Sequence, residues 1–600
     1  MKKASLISLS LLLSSITAYA DVANTVHNLS TSGPSETLKS GTEDRICIFC
    51  HTPHAAEPDT PLWNRRSGGV YIEYKSSTMD AEAGNMSSSS ELCLSCHDGT
   101  IALGDMITPS AASDLGNTFI TGRALVGTDL SDDHPVSIRY TFNLTGPDPD
   151  LVDPNTIDLP LWNNELHCAS CHDAHDDTHP PFLHKSSLNG ELCTTCHQQH
   201  GSNWSWSGSS HATSNAIPNG VSPWSERKPL WAGLTVSENA CMNCHAPHNA
   251  ATPERLVKDL EENTCYLCHD GTTAQTDILS EQQKFYHHPV EQTPSIGHDS
   301  MHIEDPFTMT LHVECEDCHN PHASYSSPPL ISFNPADPFN NFNHSTAPFI
   351  NGSLAGVNGI DINGSLKPEA EYEYEICFKC HGVLGPSACG NNLRCSTADS
   401  YDMVRQDGIY NIREKINSGN PLLVSYHPIE SNNPSNNSQV PSLRSDIPLT
   451  TDSGLIYCSD CHNSNSSPAA GSTGPSGTHG STHEGMLSLS YDFNPQNSTP
   501  LSNELCFKCH DSGNLYTDQS FPHSEHILNE NIGCINCHDP HGSATNEHLI
   551  NFLISSNVAG SLRQMTGAGV YTEPTWLDNG LHSGTCWLNC HGQLHDGWDY

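Results

Sequence analysis

A five-residue motif, Cys-x-x-Cys-His, recurs eleven times in this chain of 600 residues. From the frequencies of cysteine and histidine, chance would produce only about 0.07 copies. The eleven copies are Cys47, Cys50, His51; Cys93, Cys96, His97; Cys168, Cys171, His172; Cys193, Cys196, His197; Cys241, Cys244, His245; Cys265, Cys268, His269; Cys315, Cys318, His319; Cys377, Cys380, His381; Cys458, Cys461, His462; Cys506, Cys509, His510; and Cys534, Cys537, His538. A twelfth set, Cys586, Cys590 and His591, has three residues between its cysteines. The fold must therefore place the same chemical arrangement at every copy.

This motif is the sequence signature of covalent c-type haem attachment. The two thiols would form thioethers with the two vinyl groups of one haem, and the histidine would bind its iron as the proximal ligand. Zinc knuckles, thioredoxin-like redox pairs and a disulfide framework also use cysteine pairs, but eleven regular copies disfavour all three. The sequence thus predicts twelve haem c groups.

The twelve sites fall into six pairs, and the two members of a pair have different contexts. Five of the six first members carry a histidine three residues after the proximal one, as in CIFCHTPH at residues 47–54. Second members read differently, as in ELCLSCH at residues 91–97. This alternation predicts a repeat whose unit is a two-haem module. The expected modules are residues 21–125, 126–205, 206–280, 281–420, 421–515 and 516–600.

Histidines outside the motifs are the candidates for the second axial ligand, one upstream and one downstream in each module. Three upstream candidates precede a proline, which restricts the local backbone. The upstream candidates are His27, His134, His211, His288, His427 and either His526 or His523. The downstream candidates are His54, His175, His248, His322, His541 and, in the fifth module, which lacks a histidine at this position, His479 or His483. The main alternatives are His167, His200, His312 and His582.

The composition indicates how such a chain folds. Hydrophobic residues make up only 35%, and there are 43 glycines and 40 prolines, which predicts little regular secondary structure. Haem rings are large and apolar and would supply the missing core. We therefore predict irregular loops and short α-helices, with little strand, packed around a chain of stacked haems. Such a chain should fold poorly without its cofactors.

The first twenty residues predict a secretory signal peptide, because Lys2 and Lys3 precede an apolar run that ends before Ala18-Tyr19-Ala20. No later stretch is long and apolar enough to span a membrane. We expect an exported protein, extracellular or at the cell surface, with the periplasm as the alternative. In such a compartment Cys389 and Cys395, which lie outside the motifs, are candidates for a disulfide.

The formal net charge of −44 disfavours nucleic-acid binding, because no basic patch is available for phosphates. An acidic surface would instead attract basic redox partners.

The alternation of C-x-x-C-H-x-P-H with E-x-C-x-x-C-H resembles the doubled-CXXCH multihaem c-type cytochromes. More loosely, it is similar to the extracellular multihaem cytochromes of metal-reducing bacteria, some of which polymerise into conductive filaments. The resemblance implies haems with two histidine ligands in a continuous stack, in which a downstream histidine ligates a partner haem. The extra residue between Cys586 and Cys590 and the missing downstream histidine of the fifth module depart from this pattern.

The sequence therefore predicts a dodecahaem electron-transfer protein that carries electrons across or outside the cell envelope toward an extracellular acceptor. Two histidine ligands close the iron to substrates, so the iron can exchange electrons with little rearrangement. The partners would be other redox proteins, mainly cytochromes. The alternatives are a periplasmic shuttle and a multihaem oxidoreductase of nitrogen or sulfur oxyanions, in which the twelfth haem, near His582 or His595, would be the unusual site. We also expect filaments in which an N-terminal arm bearing His27 reaches the last module of a neighbour.

Overall fold

The computed structural model describes residues 21–57, 62–76, 79–82, 84–108, 114–198, 205–218, 233–290, 313–325, 347–382, 403–409, 411–431, 442–445, 447, 454–491, 504–517, 521–530, 532–556, 563–580, 583–590 and 592–600. Several predictions fall outside these ranges: the signal peptide, the pair Cys389 and Cys395, and His200, His312, His582 and His591. Within the described ranges, no helix has the length and apolar character needed to cross a bilayer.

Most of the cysteine motifs fold into a single helical turn. The backbone amide of the motif histidine donates to the carbonyl of the first cysteine, at 2.8 Å from His51 to Cys47 and 3.0 Å from His319 to Cys315. Residues three apart lie on the same face of a helical turn. The two thiols of one motif are therefore presented side by side, as attachment to one porphyrin requires.

The helices are short, and several begin with acidic residues directly before a cysteine pair. Glu91 lies in the first turn of Ser88–His97, and Glu373 and Glu375 lie in that of Glu373–His381, where a negative charge is favourable with the helix dipole. Both helices agree with the short α-helices that the sequence analysis predicted. The α-helices of the described chain are Ser88–His97, Cys168–Cys171, Glu191–Thr194, Ser210–Thr213, Val236–Asn239, Glu261–Tyr266, Ile278–Gln282, Glu373–His381, Ile412–Ile416, Glu504–Phe507, Ser512–Leu515 and Cys534–Cys537.

Strands are rare before residue 565, as the composition predicted. They form short antiparallel pairs that tie loops together. These pairs are Ile138–Arg139 with Glu165–Leu166, Tyr286–His287 with Gly480–Ser481, Gly359–Ile360 with Leu366–Lys367, and Met403–Arg405 with Leu553–Ser556.

The C-terminal residues form the exception, a four-stranded antiparallel sheet that the sequence analysis did not predict. Its central strand, Ser583–Cys590, pairs with Gln593–Asp599 on one side and with Thr575–Gly580 and Met565–Gly567 on the other. The twelfth cysteine pair therefore lies on a strand and not in a helical turn. The extra residue between its cysteines suits this change, because it puts both on one face of the strand.

Apolar side chains are buried in several small clusters of three to six residues. One consists of Phe49, Leu103 and Leu115, and another surrounds Phe378 and Ile416. The chain forms two compact units. One holds the described residues up to Gln198 with His245–Leu256, and the other holds those of Gln199–Ser222, Trp231–Cys244 and Val257–Tyr600. Scattered clusters of this size agree with the predicted fold class, in which cofactors provide much of the apolar interior.

Candidate haem sites

Imidazole rings from distant parts of the chain face each other in ten pairs among the described residues. Metal–imidazole bonds of about 2 Å on either side of one ion place the ring centroids about 6 Å apart. The centroid separations are 6.1 Å for His27–His97, 6.2 Å for His51–His175, 6.3 Å for His134–His197, 6.2 Å for His172–His248, 6.2 Å for His211–His269, 6.3 Å for His288–His381, 5.9 Å for His319–His479, 6.4 Å for His427–His510, 6.2 Å for His462–His541 and 6.1 Å for His526–His595. Each pair thus leaves room for one iron.

The motif histidines are held in the tautomer that metal binding requires. The Nδ1 atoms of His97, His319 and His538 contact the carbonyl oxygens of Ala124, Ser353 and His548, at 2.7, 2.8 and 2.8 Å. A carbonyl can only accept, so Nδ1 carries the proton and Nε2 keeps its lone pair. These backbone contacts also fix the ring orientation, as partners of ligating histidines commonly do. The residues present therefore fit haem iron.

At the second site of a module, the motif histidine faces the upstream histidine of the same module. This holds for the first five modules in the described chain, in the pairs His27–His97, His134–His197, His211–His269, His288–His381 and His427–His510. The structure thus brings the predicted upstream candidates to the sites of their own modules. His27, which we expected on an exchanged arm, lies beside His97 of the same chain.

At the first site of four modules, the motif histidine faces the downstream histidine of the following module. The pairs are His51–His175, His172–His248, His319–His479 and His462–His541. His479, and not His483, takes the downstream place in the fifth module. His245 of the third module and His322 of the fourth belong to different compact units. The ring of His322 lies 6.0 Å from that of Trp206.

Backbone contacts link the two kinds of pair. The Nδ1 atoms of four upstream histidines contact the carbonyl of the residue that precedes the downstream histidine of the next module. These contacts are His27 to Ala174 at 3.2 Å, His211 to Pro321 at 2.9 Å, His288 to Thr478 at 2.8 Å and His427 to Pro540 at 2.5 Å. Positioning one ligand therefore also positions its neighbour in the next module.

The cysteines show the same continuity. The thiol of Cys93 hydrogen-bonds to that of Cys168, and this contact, with burial, raises the pKa of Cys93 well above its ordinary value. The same contact joins Cys265 to Cys315, Cys377 to Cys458 and Cys506 to Cys534. Each joins the second site of one module to the first site of the next. The thiols stand in for thioether sulfurs, so the attached porphyrin edges would lie side by side.

Within a module the two second cysteines are also neighbours. Burial raises the pKa of Cys50 to about 12, and the nearby Cys96 adds to the effect. Burial has the same effect on Cys509, with Cys461 as its neighbour. Together with the contacts between modules, this places successive sites next to one another within each compact unit.

A cavity of about 2650 Å³ runs through the larger unit, lined by motif cysteines from Cys265 to Cys590 and by the imidazoles facing them. Pockets for a single small ligand commonly measure about 300–1,000 Å³. The cavity is therefore large enough for a series of groups.

Burial favours the neutral form of several facing imidazoles. It lowers the pKa of His381, His462 and His510 to about 4, and that of His479 to about 3, with nearby histidines adding to the effect. Neutral imidazole is the form that binds metals. The environment therefore favours ligation over protonation at these positions.

Carboxylates contact three of the downstream histidines. Asp133 lies 2.9 Å from Nδ1 of His248 and Asp173 lies 3.2 Å from Nδ1 of His175. Burial alone would lower the pKa of His248, but the bond to Asp133 raises it. Burial would likewise raise the pKa of Asp539, yet the hydrogen bond from His541 and the charges of Lys415 and Arg405 hold it well below its usual range.

Some candidate ligands do not face a motif histidine in the described chain. His54 is exposed, and no ring among the described residues faces it. The alternative candidate His167 is fully buried and lies 3.2 Å from the hydroxyl of Ser90, so it is placed as a structural residue. His526 faces His595, which the sequence analysis had named only as a possible neighbour of the twelfth site.

The twelfth motif differs from the others in the distance between its two cysteines. In a strand the Cα atoms of Cys586 and Cys590 lie about 13 Å apart, against about 5 Å for cysteines three residues apart in a helical turn. Both cysteines are buried and line the same cavity.

Comparison with known proteins gives two matches. The model of the doubled CXXCH motif family matches residues 235–274, which include the fifth and sixth motifs. The multiheme cytochrome MtrA of Shewanella baltica (strain OS185) is 31% identical over 115 residues, or 18% of this chain and 27% of that protein. The chain thus matches only about a quarter of the length of this relative.

Proposed function

We propose that this multihaem c-type cytochrome, which resembles those of metal-reducing bacteria, is a dodecahaem wire that carries electrons to an acceptor outside the cell. Electron transfer is the activity of its class, and the number of haems, the acceptor and the location are our proposal. The observation that carries it is the series of facing imidazoles and neighbouring cysteines within each compact unit. Short hops between adjacent haems would move an electron along the whole chain.

The facing imidazoles favour a carrier over a reductase. A haem that reduces nitrogen or sulfur oxyanions needs an open or exchangeable position on its iron. In ten pairs a second imidazole is already at the distance that one iron requires. The protein would tune each potential through burial and through the partners of Nδ1.

The proposed location is the cell surface or the extracellular space, with the periplasm as the alternative. It is supported by the signal-like N-terminus and by the haem c motifs, since haem c is attached outside the cytoplasm. The net charge of −44 favours basic redox partners.

Two measurements on purified holoprotein test the wire. Intact mass should give twelve covalent haems, and eleven would mean that Cys586 and Cys590 are not used. The reduced protein should bind carbon monoxide only at a haem that lacks its second axial ligand. Stoichiometric carbon monoxide binding at several haems would contradict the carrier and favour the reductase.

The first and sixth modules offer complementary groups for assembly into filaments. At four first sites the second imidazole comes from the following module. The Nδ1 of His538 contacts the carbonyl of His548 at 2.8 Å, and within the described chain no imidazole faces its ring. In the first module, no ring of the described chain faces His54.

The segment around His54 matches the segments that ligate elsewhere. Pro53-His54 occupies the place of Ala174-His175 and Pro540-His541 in their modules. We therefore assign His54 of one copy to the iron at His538 of the next copy. Such a contact is heterologous and head-to-tail, and it propagates into an open filament when the rotation does not close.

His54→Ala tests the filament. The parent protein should form linear assemblies by electron microscopy and light scattering, and the variant should remain as single chains with one high-spin haem. His344→Ala, which removes a histidine outside the module pattern, is the control and should assemble like the parent. If His54→Ala assembles normally and stays fully low-spin, the junction is wrong, while the wire within one chain is unaffected.

A further inference from the structure

A buried carboxylate joins the second site of the fourth module to the first site of the fifth. At this module boundary the thiols of Cys377 and Cys458 hydrogen-bond to each other. Next to them, Glu373 accepts from the backbone amide of Ser459 at 2.9 Å and from its hydroxyl at 2.7 Å. Glu373 and Ser459 are 86 positions apart along the chain. Two separate contacts therefore hold the two cysteine turns together.

The same kind of bond occurs at the three other module boundaries where thiols touch. The first amides of a helical turn have no acceptor within that turn. At each boundary a side chain of the earlier module accepts from one of the first two amides of the later module's cysteine turn. The bonds run from the amide of Cys168 to the hydroxyl of Ser90 at 3.2 Å, from that of Glu316 to Glu261 at 2.9 Å, and from that of Ile535 to the hydroxyl of Tyr491 at 2.7 Å.

The helix that carries a second site also places the accepting side chain. In three of the four cases this side chain precedes the first cysteine of its own pair by three or four residues, on the same helix. The positions are Ser90 before Cys93, Glu261 before Cys265 and Glu373 before Cys377. Residues at this spacing lie on one face of a helix. That face therefore presents a thiol and an acceptor side by side to the next module.

The two accepting carboxylates are buried, with 8% of Glu261 and 9% of Glu373 exposed. Burial raises the pKa of Glu373 to about 7, although the bonds from Ser459 act in the opposite direction. Burial also raises the pKa of Glu261 well above its ordinary value, and the charge of Glu316 adds to the effect. A buried carboxyl group costs free energy unless it is hydrogen-bonded. The bonds across the boundary therefore offset a cost that these positions would otherwise carry.

We infer that Glu261 and Glu373 are positioning residues that fix the separation and angle of the two porphyrins at their module boundaries. This rests on the proposed wire, because it concerns the hop between neighbouring haems. A contact between two sulfurs alone leaves the two cysteine turns free to rotate about it. A second bond, one helical turn away from the sulfur, fixes their relative orientation. The carboxylates thus act on electron transfer through the placement of the haems.

Glu373→Ala tests the inference at one boundary of the holoprotein. The first readout is the exciton couplet of the haem Soret band in circular dichroism, which depends on the distance and angle between neighbouring haems. The second is the rate at which an electron injected by a photoexcited ruthenium complex spreads among the haems. The couplet should lose part of its amplitude and the rate should fall several-fold, with all haems retained by intact mass.

Glu373→Gln should restore both readouts, because the amide oxygen of glutamine can still accept from the backbone amide of Ser459. Parent-like readouts in Glu373→Ala would overturn the inference. So would a Glu373→Gln variant that behaves like Glu373→Ala, since the charge and not the docking bond would then matter. Ser459→Ala, which removes only the hydroxyl bond, should give a smaller loss in both readouts, and no loss would count against the docking contact.

Glu375→Ala is the matched control on the same helix. Glu375 is also buried, but it bonds to Lys367 and to the amides of Glu371 and Tyr372, all in its own module. Its loss should lower the unfolding temperature and leave the couplet and the rate at the parent level. An equal loss of both readouts in Glu375→Ala would trace the effect to folding of the helix and overturn the inference.

The same measurements separate this inference from the proposed wire. A parent protein without a couplet and without electron movement between haems would contradict the wire itself. Parent-like values in Glu373→Ala would leave the wire in place and remove only the positioning role of the carboxylates.

Discussion

The first and second sites of the modules differ in the angle between the facing imidazole planes. At first sites, where the partner comes from the next module, the angles are 11° for His51–His175, 34° for His172–His248, 12° for His319–His479 and 5° for His462–His541. At second sites, completed within one module, they are 81°, 74°, 89°, 58° and 53°. The origin of the facing imidazole thus goes with its orientation: imidazoles from the next module lie within 34° of parallel to the motif histidine, and imidazoles from the same module lie at 53° or more.

This difference indicates that the two haems of a module have different structural roles. A second site can form as soon as its own module folds. A first site needs the following module, so it also joins consecutive modules. Two electronic environments would then alternate along one wire.

The largest expected effect is spectroscopic, because all the haems should fall into two groups with different ferric signals. Near-parallel axial imidazoles should give rhombic low-spin ferric signals, and crossed imidazoles should give strongly anisotropic ones, since the ligand planes set the splitting of the iron orbitals. Electron paramagnetic resonance of the oxidised protein should show both kinds in similar amounts. A single kind of signal would contradict the comparison.

Removing one ligand of each kind should separate their structural roles. His248→Ala and His134→Ala should each create one high-spin haem, but the first should unfold more readily by about 1–3 kcal/mol. It leaves the buried Asp133 with only the amide of Asn249, 3.3 Å away, as a hydrogen-bond partner, whereas the Nδ1 of His134 contacts only the carbonyl of Pro135. Thermal unfolding of the two variants side by side measures the difference. Equal unfolding midpoints for the two variants would argue against the idea that first sites join consecutive modules.

The charge beside a first-site ligand should set its potential. Asp133→Asn keeps an oxygen near Nδ1 of His248 but removes the negative charge, which stabilises ferric iron. One reduction potential should therefore rise by about 50 mV, the equivalent of about 1 kcal/mol for one electron. A spectroelectrochemical titration checks this, and an unchanged set of potentials would show that the carboxylate only orients the ring.

A neutral partner at a second site should have the smallest effect. The hydroxyl of Ser442 lies 2.9 Å from Nδ1 of His510, and neutral hydrogen bonds are about half as strong as charge-assisted ones. Ser442→Ala should shift one potential by about half the amount of Asp133→Asn. A larger shift than that of Asp133→Asn, in the same titration, would reverse the expected order of the two kinds of site.

The fold class and the list of candidate ligands follow from the sequence. Which two histidines face each other does not. Motif spacing identifies Cys47, Cys50 and His51 because their chemistry is local. The partner of His51 lies 124 positions away at His175, and only the packing of two modules can select it. A fixed offset also fails for His479, which replaces a missing downstream histidine from a different distance along the chain.

The C-terminal sheet was missed because the motif suggested a helical turn there. The sequence does contain a signal: the three-residue spacing puts Cys586 and Cys590 on one face of an extended strand, and aromatic residues such as Trp587 and Trp598 favour strands. The pairing of His595 with His526 depends on the hairpin register, which such signals leave undetermined.

The contacts between thiols also bear on how the protein is made. Cys93 and Cys168 touch, as do Cys265 and Cys315, Cys377 and Cys458, and Cys506 and Cys534. In the oxidising compartment where haem is attached, each pair is poised to form a wrong disulfide between neighbouring modules. One such bond would block attachment at two sites at once and interrupt the wire. An exported chain of this kind would therefore depend on being kept reduced, or on receiving its haems before consecutive modules close on each other.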